Sequence, residues 1–307
     1  MDRRIFSAMA AGALAQIATG TFAQSLSPPA TQQQPAKLPG GKAGTGAWAA
    51  RAREIEAATG GRLGIAIHFT GSGRRFSHRG AERFPMCSTF KTLASAYVLH
   101  RVDKGQEQLD RRISFTRADL VRHAPAVEAK LAEGSMTLAE LCEGTITLSD
   151  NAAANLILAT YGGPAALTRY LRSIGDKITR ADRTEPELNT AIAGDPRDTT
   201  TPETMIATIG KLVLGDALSP ASRDQLTRWL VANKTGDTRL RAGLAPGWRV
   251  GDKTGTGANG TNNDAGVLWT PQGEPVLIAA YLTGAKVPME QQNAAIAAVA
   301  ALAVSMG

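Results

Sequence analysis

The sequence predicts a mixed α/β (α+β) fold: an antiparallel sheet assembled from both ends of the chain, flanked by helices, with an all-helical domain inserted between its strands. Three observations predict it. Strand patterns occur up to His78 and resume at Arg249, helical patterns fill the interval, and no internal repeat offers another architecture.

The first helical pattern runs from Trp48 to Ala58, with Trp48, Ala52 and Ile55 on one face and Gly60-Gly61 ending it. Leu63–Phe69 reads as a strand, Thr70-Gly71-Ser72-Gly73 as a turn, and Arg74–His78 as the returning strand. Helical spacing then dominates over Lys91–Asp103, Thr137–Leu148, Ala152–Tyr161, Pro164–Ile174, Pro202–Leu214 and Pro220–Asn233. Arg180–Thr201 has little regular period and is expected to be a loop. Strand patterns return at Arg249–Thr254, Asp264–Trp269 and Val276–Thr283, and a helix from Met289 to about Met306 closes the chain. The expected division is a sheet domain from residues 47–80 and 231–307 and a helical domain from residues 81–230, with the long loop over about 180–200.

The N-terminus reads as an export leader, residues 1–23. Arg3 and Arg4 supply the charge, Ile5–Ala18 the apolar stretch, and Thr21-Phe22-Ala23 small residues for cleavage. A permanent anchor is the competing reading, but the stretch is short against the roughly 20 apolar residues of a span. Arg3-Arg4-Ile5-Phe6 also resembles a twin-arginine signal. Residues 24–46 are rich in Pro, Gln, Gly, Ala and Ser, the composition of a disordered linker. An exported, periplasmic protein is expected, with no stable membrane anchor.

Composition narrows the function. With 43% hydrophobic and 20% charged residues, 307 residues form a globular protein with a sizeable core. The net charge of +7 is spread over both halves without a basic block or interleaved aromatics, which argues against nucleic acid. His68, His78, His100 and His123 lack metal-ligand spacing, so no metal or other cofactor is expected.

Three short motifs carry chemistry in combination. Ser88-Thr89-Phe90-Lys91 stands where the chain enters a helix, and a spacing of three lets the amine reach the hydroxyl. Such a helix start also offers backbone N–H groups to a developing oxyanion. Ser149-Asp150-Asn151 lies between two helices, where ordinary capping would equally explain it. Lys253-Thr254-Gly255, followed by Thr256-Gly257, lies on a strand that can present a cation, a hydroxyl and a close backbone to a ligand carboxylate. Alone, each is as well explained by a cap, a surface lysine or a turn.

Together and in this order, S-x-x-K, S-D-N and K-T-G resemble the signature of class A β-lactamases and penicillin-binding proteins. Glu185-Pro186-Glu187-Leu188-Asn189 resembles the E-x-x-L-N of the class A branch, inside a stretch from Arg183 to Pro202 similar to that family's Ω-loop. The resemblance extends from about Trp48 to the C-terminus and implies a β-lactamase/transpeptidase-like fold. It also implies hydrolysis of the lactam amide of penicillins and cephalosporins through a Ser88 acyl-enzyme. Hydrolysing that ester needs an activated water, which a carboxylate beside an amide can supply; Glu185 and Asn189 take this role. Lys91 and Glu185 are alternative bases for activating Ser88. By the same resemblance Ser149 relays a proton to the lactam nitrogen under the influence of Lys253, and Asn151 binds the acylamino side chain. The backbone N–H groups of Ser88 and Thr256 form the oxyanion hole, Thr254 and Gly255 line the substrate site, and Arg183 with Asp198 pins the loop.

Departures from the family pattern matter as well. Many relatives carry an arginine where Asn262 stands, and Arg239 matches a position from which others supply that charge to the substrate carboxylate. His123 stands where an aromatic residue often gates the pocket. Cys87 and Cys142 are expected as free thiols, because the residues matching their partners in disulfide-bearing relatives are Gly257 and Ser95. A monomer acting on a small β-lactam is expected. The alternatives are a D-alanyl-D-alanine peptidase that stalls as a penicilloyl ester, a penicillin-sensing receptor, and a structural protein with decayed motifs. Glu185 and Asn189 argue against the first. A sensor needs a membrane segment and effector, which are not visible after Ala23, and the intact catalytic residue types argue against the last.

Overall fold

The computed structural model describes residues 45–307; the expected leader 1–23 and the expected linker, up to residue 44, lie outside the described residues. None of the described helices is long and apolar enough to cross a membrane. In chain order the elements are α1 (Thr45–Thr59), β1 (Arg62–Phe69), β2 (Arg75–His78), β3 (Phe84–Pro85), α2 (Phe90–Asp103), β4 (Arg112–Ser114), α3 (Pro125–Ala129), β5 (Ser135–Thr137), α4 (Leu138–Thr147), α5 (Asn151–Thr160) and α6 (Gly163–Ser173). They continue with β6 (Thr199–Thr200), α7 (Pro202–Val213), α8 (Pro220–Val231), β7 (Arg249–Gly257), β8 (Thr261–Trp269), β9 (Pro275–Thr283) and α9 (Met289–Val304).

Strands from both chain ends form one five-stranded antiparallel sheet in the order β2-β1-β9-β8-β7. Period-2 alternation gives this sheet two buried faces. On β9, Val276, Ile278, Ala280 and Leu282 enter one core with Leu63, Ile65 and Ile67 of β1, Trp48 of α1 and Ile296 of α9. The intervening Leu277, Ala279 and Tyr281 enter a second core with residues of α2, α4, α7 and α8. Burial on both faces explains why Val276–Leu282 reads as an unbroken apolar run.

Helix starts follow local chemistry. The Thr137 hydroxyl accepts from Glu140 N while the Glu140 carboxylate accepts from Thr137 N, a capping box for α4. Thr201-Pro202 and Ser219-Pro220 open α7 and α8 with a hydroxyl cap and a proline at the first position.

Two differences from the sequence expectation bear on the site. The stretch expected to be wholly helical contains β3 to β6, short strands that pair β3 with β6 and β4 with β5. Such short pairings leave no periodic trace and depend on contacts distant in sequence. Strand β7 continues three residues past Thr254, because Gly255, Thr256 and Gly257 pair with Asn263, Asn262 and Thr261 of β8.

Candidate active site

The three motifs converge on β7, an edge of the sheet. Ser88 stands in a 3₁₀ turn, Cys87–Thr89, immediately before α2 rather than within it. A Cβ on Gly255 would approach Met86 O to 2.7 Å, and one on Gly257 would lie 2.6 Å from Cys87 Sγ and 2.8 Å from Asn189 O. The glycines of Lys253-Thr254-Gly255-Thr256-Gly257 therefore let β7 pack directly against the Ser88 turn and the Glu185 loop.

Lys91, the second residue of α2 and three residues beyond Ser88, is the hub. Its buried Nζ donates to Ser88 Oγ (3.0 Å), Ser149 O (2.8 Å) and Asn151 Oδ1 (2.5 Å), and pairs with Glu185 Oε1 at 3.0 Å. Burial lowers the Lys91 pKa despite the opposing pull of Glu185. Ser88 Oγ also lies 3.3 Å from Glu185 Oε1, to which it donates.

In Ser149-Asp150-Asn151, capping and chemistry coexist. Asp150 Oδ1 caps α5 by accepting from Ala153 N (2.7 Å), while its Oδ2 accepts from Ala126 N and Val127 N of α3. Ser149, held at φ 59°, directs its hydroxyl to Lys253 Nζ, 3.0 Å away. Burial, and next the charge of Lys91, pushes the Lys253 pKa well below the usual amine range. Asn151 Nδ2 donates to Arg122 O (2.8 Å), leaving its second N–H for another acceptor.

Glu185 belongs to a loop anchored at several points. Asn155, on α5 one turn after Asn151, accepts from Glu185 N and donates to Glu185 O, both at 2.9 Å. The sequence reading missed Asn155; its i+4 spacing from Asn151 was the available clue. Asn189 Nδ2 donates to Glu185 Oε2, and Asn189 Oδ1 is buried without a protein donor among the described residues. Asp198 is buried, takes Arg183 Nε at 2.6 Å and accepts from Asp182 N and Arg183 N, while its carbonyl receives Met86 N. This is a loop-closing ion pair with a buried carboxylate, not a solvated one.

The remaining predicted residues border the same cleft, about 680 Å³ in volume and lined by Ser88, His123, Ser149, Asn151, Arg239 and Thr254 among others. Arg239 is largely buried, with Nη1 on Gly255 O (3.1 Å) and Asn263 O (2.8 Å), Nη2 on Thr256 Oγ1 (2.7 Å) and Nε on Asn293 Oδ1 (3.2 Å). Asn262 is fully buried and donates to Asn293 Oδ1, so it lies behind the strand rather than in the cleft. Exposed His123, at φ 65°, donates from Nε2 to Leu148 O at 2.9 Å. Thr235, also missed by the sequence reading, lines the cleft and meets Thr254 Oγ1 at 2.5 Å.

Behind β7 lies a buried charge cluster. Asp252 pairs with Arg241 at 2.6 Å and accepts from Asn233 Nδ2. Asp264 is fully buried, accepts from Leu240 N at 3.2 Å and has Oδ1 without a donor among the described residues. Burial, reinforced by the charge of Asp252, raises the Asp264 pKa well above the carboxylate range. Cys87 and Cys142 are buried free thiols, and burial pushes Cys142 up to about 12.

Comparison with known proteins agrees with this geometry. The model of the β-lactamase enzyme family matches residues 47–306. β-lactamase L2 of Stenotrophomonas maltophilia is 48% identical over 250 residues, 81% of this chain and 82% of that protein. β-lactamase Toho-1 of Escherichia coli is 45% identical over 246 residues, 80% of this chain and 84% of its own. A solved structure described as the last common ancestor of Gram-negative bacteria β-lactamase class A aligns with a TM-score of 0.83 and 60% identity, covering 84% of this chain and 98% of that one. A match that runs from α1 to α9, on a fold shared nearly end to end, makes this chain a member of the class A serine β-lactamase family.

Proposed function

We propose that the chain hydrolyses the amide bond of β-lactams, penicillins and cephalosporins among them, through an ester on Ser88 that Glu185 then helps water to cleave. The observation that carries this reading is the convergence of Lys91 Nζ on Ser88 Oγ, Ser149 and Glu185 within one buried cluster. Ser88 Oγ attacks the lactam carbonyl carbon, and its proton passes to Lys91 or to Glu185, both within 3.3 Å. A lowered Lys91 pKa supports the amine as one acceptor, because it raises the neutral fraction. The backbone N–H groups of Ser88 and Thr256 receive the oxyanion. As the C–N bond breaks, the lactam nitrogen takes a proton from Ser149 Oγ, which is resupplied with the proton first taken from Ser88 by way of Lys91 Nζ, 3.5 Å away, while Lys253 Nζ holds the Ser149 hydroxyl by donating to it at 3.0 Å.

Deacylation adds water to the ester carbonyl. Glu185 takes one water proton while Asn189 Oδ1, a buried acceptor lacking a protein donor among the described residues, receives the other as a hydrogen bond. Ser88 leaves with its proton restored. Asn151 binds the acylamino group through its second amide N–H, Arg239 attracts the lactam carboxylate from behind Thr256, and His123 forms the wall beside Asn151.

The same reading takes residues 1–23 as an export leader, similar to a twin-arginine signal, followed by a linker that ends where α1 begins at Thr45 and by delivery to the periplasm as a monomer. It divides the folded part into a sheet domain, 47–80 with 231–307, and a helical domain, 81–230. The test is many-turnover hydrolysis of benzylpenicillin and a chromogenic cephalosporin by protein lacking residues 1–23. Sustained hydrolysis that vanishes in Ser88→Ala is expected. A single stoichiometric burst would overturn the reading in favour of a peptidase or sensor. In Glu185→Ala, mass spectrometry should find a persistent Ser88 adduct; rapid turnover would remove Glu185 from deacylation.

A further inference from the structure

Three residues, Ala258-Asn259-Gly260, turn the chain from β7 into β8 and lie against the Glu185 loop. Ala258 N donates to Asn189 O at 2.9 Å. The Asn259 amide Nδ2 donates to Thr190 O (3.2 Å) and Ala191 O (3.0 Å), the carbonyls at the end of the 3₁₀ turn Glu187–Thr190 that contains Asn189. The β7–β8 turn is itself fixed to the end of β9, where Gly284 N donates to Asn259 O (2.7 Å) and Ala285 N to Gly260 O (3.3 Å). The amide therefore latches the segment leaving Asn189 to an anchored turn.

The geometry that makes this latch also selects a labile dipeptide. Asn259 has φ 54°, a conformation that asparagine tolerates better than most residues. Gly260 has φ 58°, and a Cβ there would collide with the Ala285 carbonyl, so the position needs glycine. Asn259-Gly260 is the one Asn-Gly pair in the sequence. With no side chain on the following residue, a backbone nitrogen meets little hindrance in attacking an asparagine amide, itself a thermolabile group. Asn259 is exposed, and Gly260 N donates no hydrogen bond among the described residues. A cavity of about 480 Å³ opens beside the amide, lined by Ala191, Ile192, Asn259 and Gly284 among others.

We infer that Asn259 is a deamidation site, and that its conversion releases Asn189 and slows hydrolysis of the Ser88 ester. Hydroxide removes the Gly260 N–H proton, that nitrogen bonds to Asn259 Cγ, and the Cγ–Nδ2 bond breaks, the amide leaving as ammonia with a proton from water. Water then opens the five-membered imide at either carbonyl, giving aspartate or isoaspartate at position 259. Both products lack the Nδ2 donor, and the aspartate sets a carboxylate against two carbonyl oxygens. For hydrogen bonds at an exposed site the loss corresponds to about two- to tenfold in deacylation. The inference rests on the assignment of Asn189 to the hydrolytic water.

The test ages the protein in mild alkali and follows each asparagine by peptide mass spectrometry. Asn259 should convert ahead of every other asparagine. As it converts, kcat for benzylpenicillin should fall about two- to tenfold with KM falling in parallel, and Ser88 ester should accumulate. Asn259→Asp should show the same kinetics without ageing. Asn259→Gly keeps the turn but lacks the amide, so it should start low and lose nothing further. An Asn259 that survives while other asparagines convert would overturn the inference, as would one that converts with kcat unchanged. Amide hydrogen exchange over the loop after Asn189 reads the latch without turnover. Faster exchange in Asn259→Asp is expected, and unchanged exchange would overturn the inference. Absence of hydrolysis by the fresh protein would count against the hydrolase reading alone.

Discussion

Asn155 offers a way to move Glu185 without altering any group that reacts. Its amide closes two hydrogen bonds on the Glu185 backbone, both 2.9 Å long, joining α5 to the loop. Asn155→Leu removes donor and acceptor together while keeping much of the side-chain volume. Two such bonds contribute about 1–3 kcal/mol net. If all of that energy holds Glu185 in position, deacylation slows by about 5- to 150-fold. Acylation should suffer less, because Ser88 keeps its 3.0 Å contact with Lys91. Rapid-quench mass spectrometry should therefore detect Ser88 ester accumulating at steady state, alongside a lower kcat. Melting temperature should fall by roughly 2–4 °C per kcal/mol lost. A lower melting temperature with unchanged kcat and no ester would refute the reasoning. Asn155 would then anchor the loop without governing the position of Glu185.

Three further outcomes follow from the packing. Gly257→Ala puts a methyl 2.6 Å from Cys87 Sγ and 2.8 Å from Asn189 O, so it should lower stability by about 1–3 kcal/mol in thermal melts and reduce kcat through Asn189. Asp264 has a raised native pKa, so the unfolded chain loses its proton first and native stability from this group declines as pH rises above about 3.9, up to its folded-state pKa. Asp264→Asn stays neutral and can still accept from Leu240 N; its melting temperature relative to the parent should rise from about pH 4 to about pH 8, and a constant difference would refute this. Thiol titration should find two cysteines in the denatured, unreduced protein and slow reaction in the native one, given burial of both; a count of zero would establish a disulfide.

The sheet was legible because its strands carry long apolar runs and its ends are separated by helical spacing. The motif residues were legible because order along the chain substitutes for proximity in space. What escaped the reading depends on contacts between distant segments. Nothing local in Phe84-Pro85 or Thr199-Thr200 predicts that they pair, yet Met86 N donates to Asp198 O just beyond that pairing and ties the Glu185 loop to the Ser88 turn. Asp264 looks like an ordinary strand residue until β7, β9 and the Leu240 turn enclose it. Asp150 shows the opposite case: capping and catalysis looked like rival explanations of one tripeptide, and the fold divides them among neighbouring residues.

Strand β1 lies between β2 and β9, and Thr70 and Pro275 at the ends of that ladder are 205 residues apart. On a ribosome adding about 5–20 residues per second, β1 waits roughly 10–40 s for its partner to be made. Throughout that interval Leu63, Ile65 and Ile67 have only the four residues of β2 to pair beside. The central ladder thus cannot close until β9 has been made, although one of its two strands is among the first to be synthesised. A chain truncated before Pro275 would retain a sticky, half-made edge, and its fate would be aggregation or degradation rather than a smaller working enzyme.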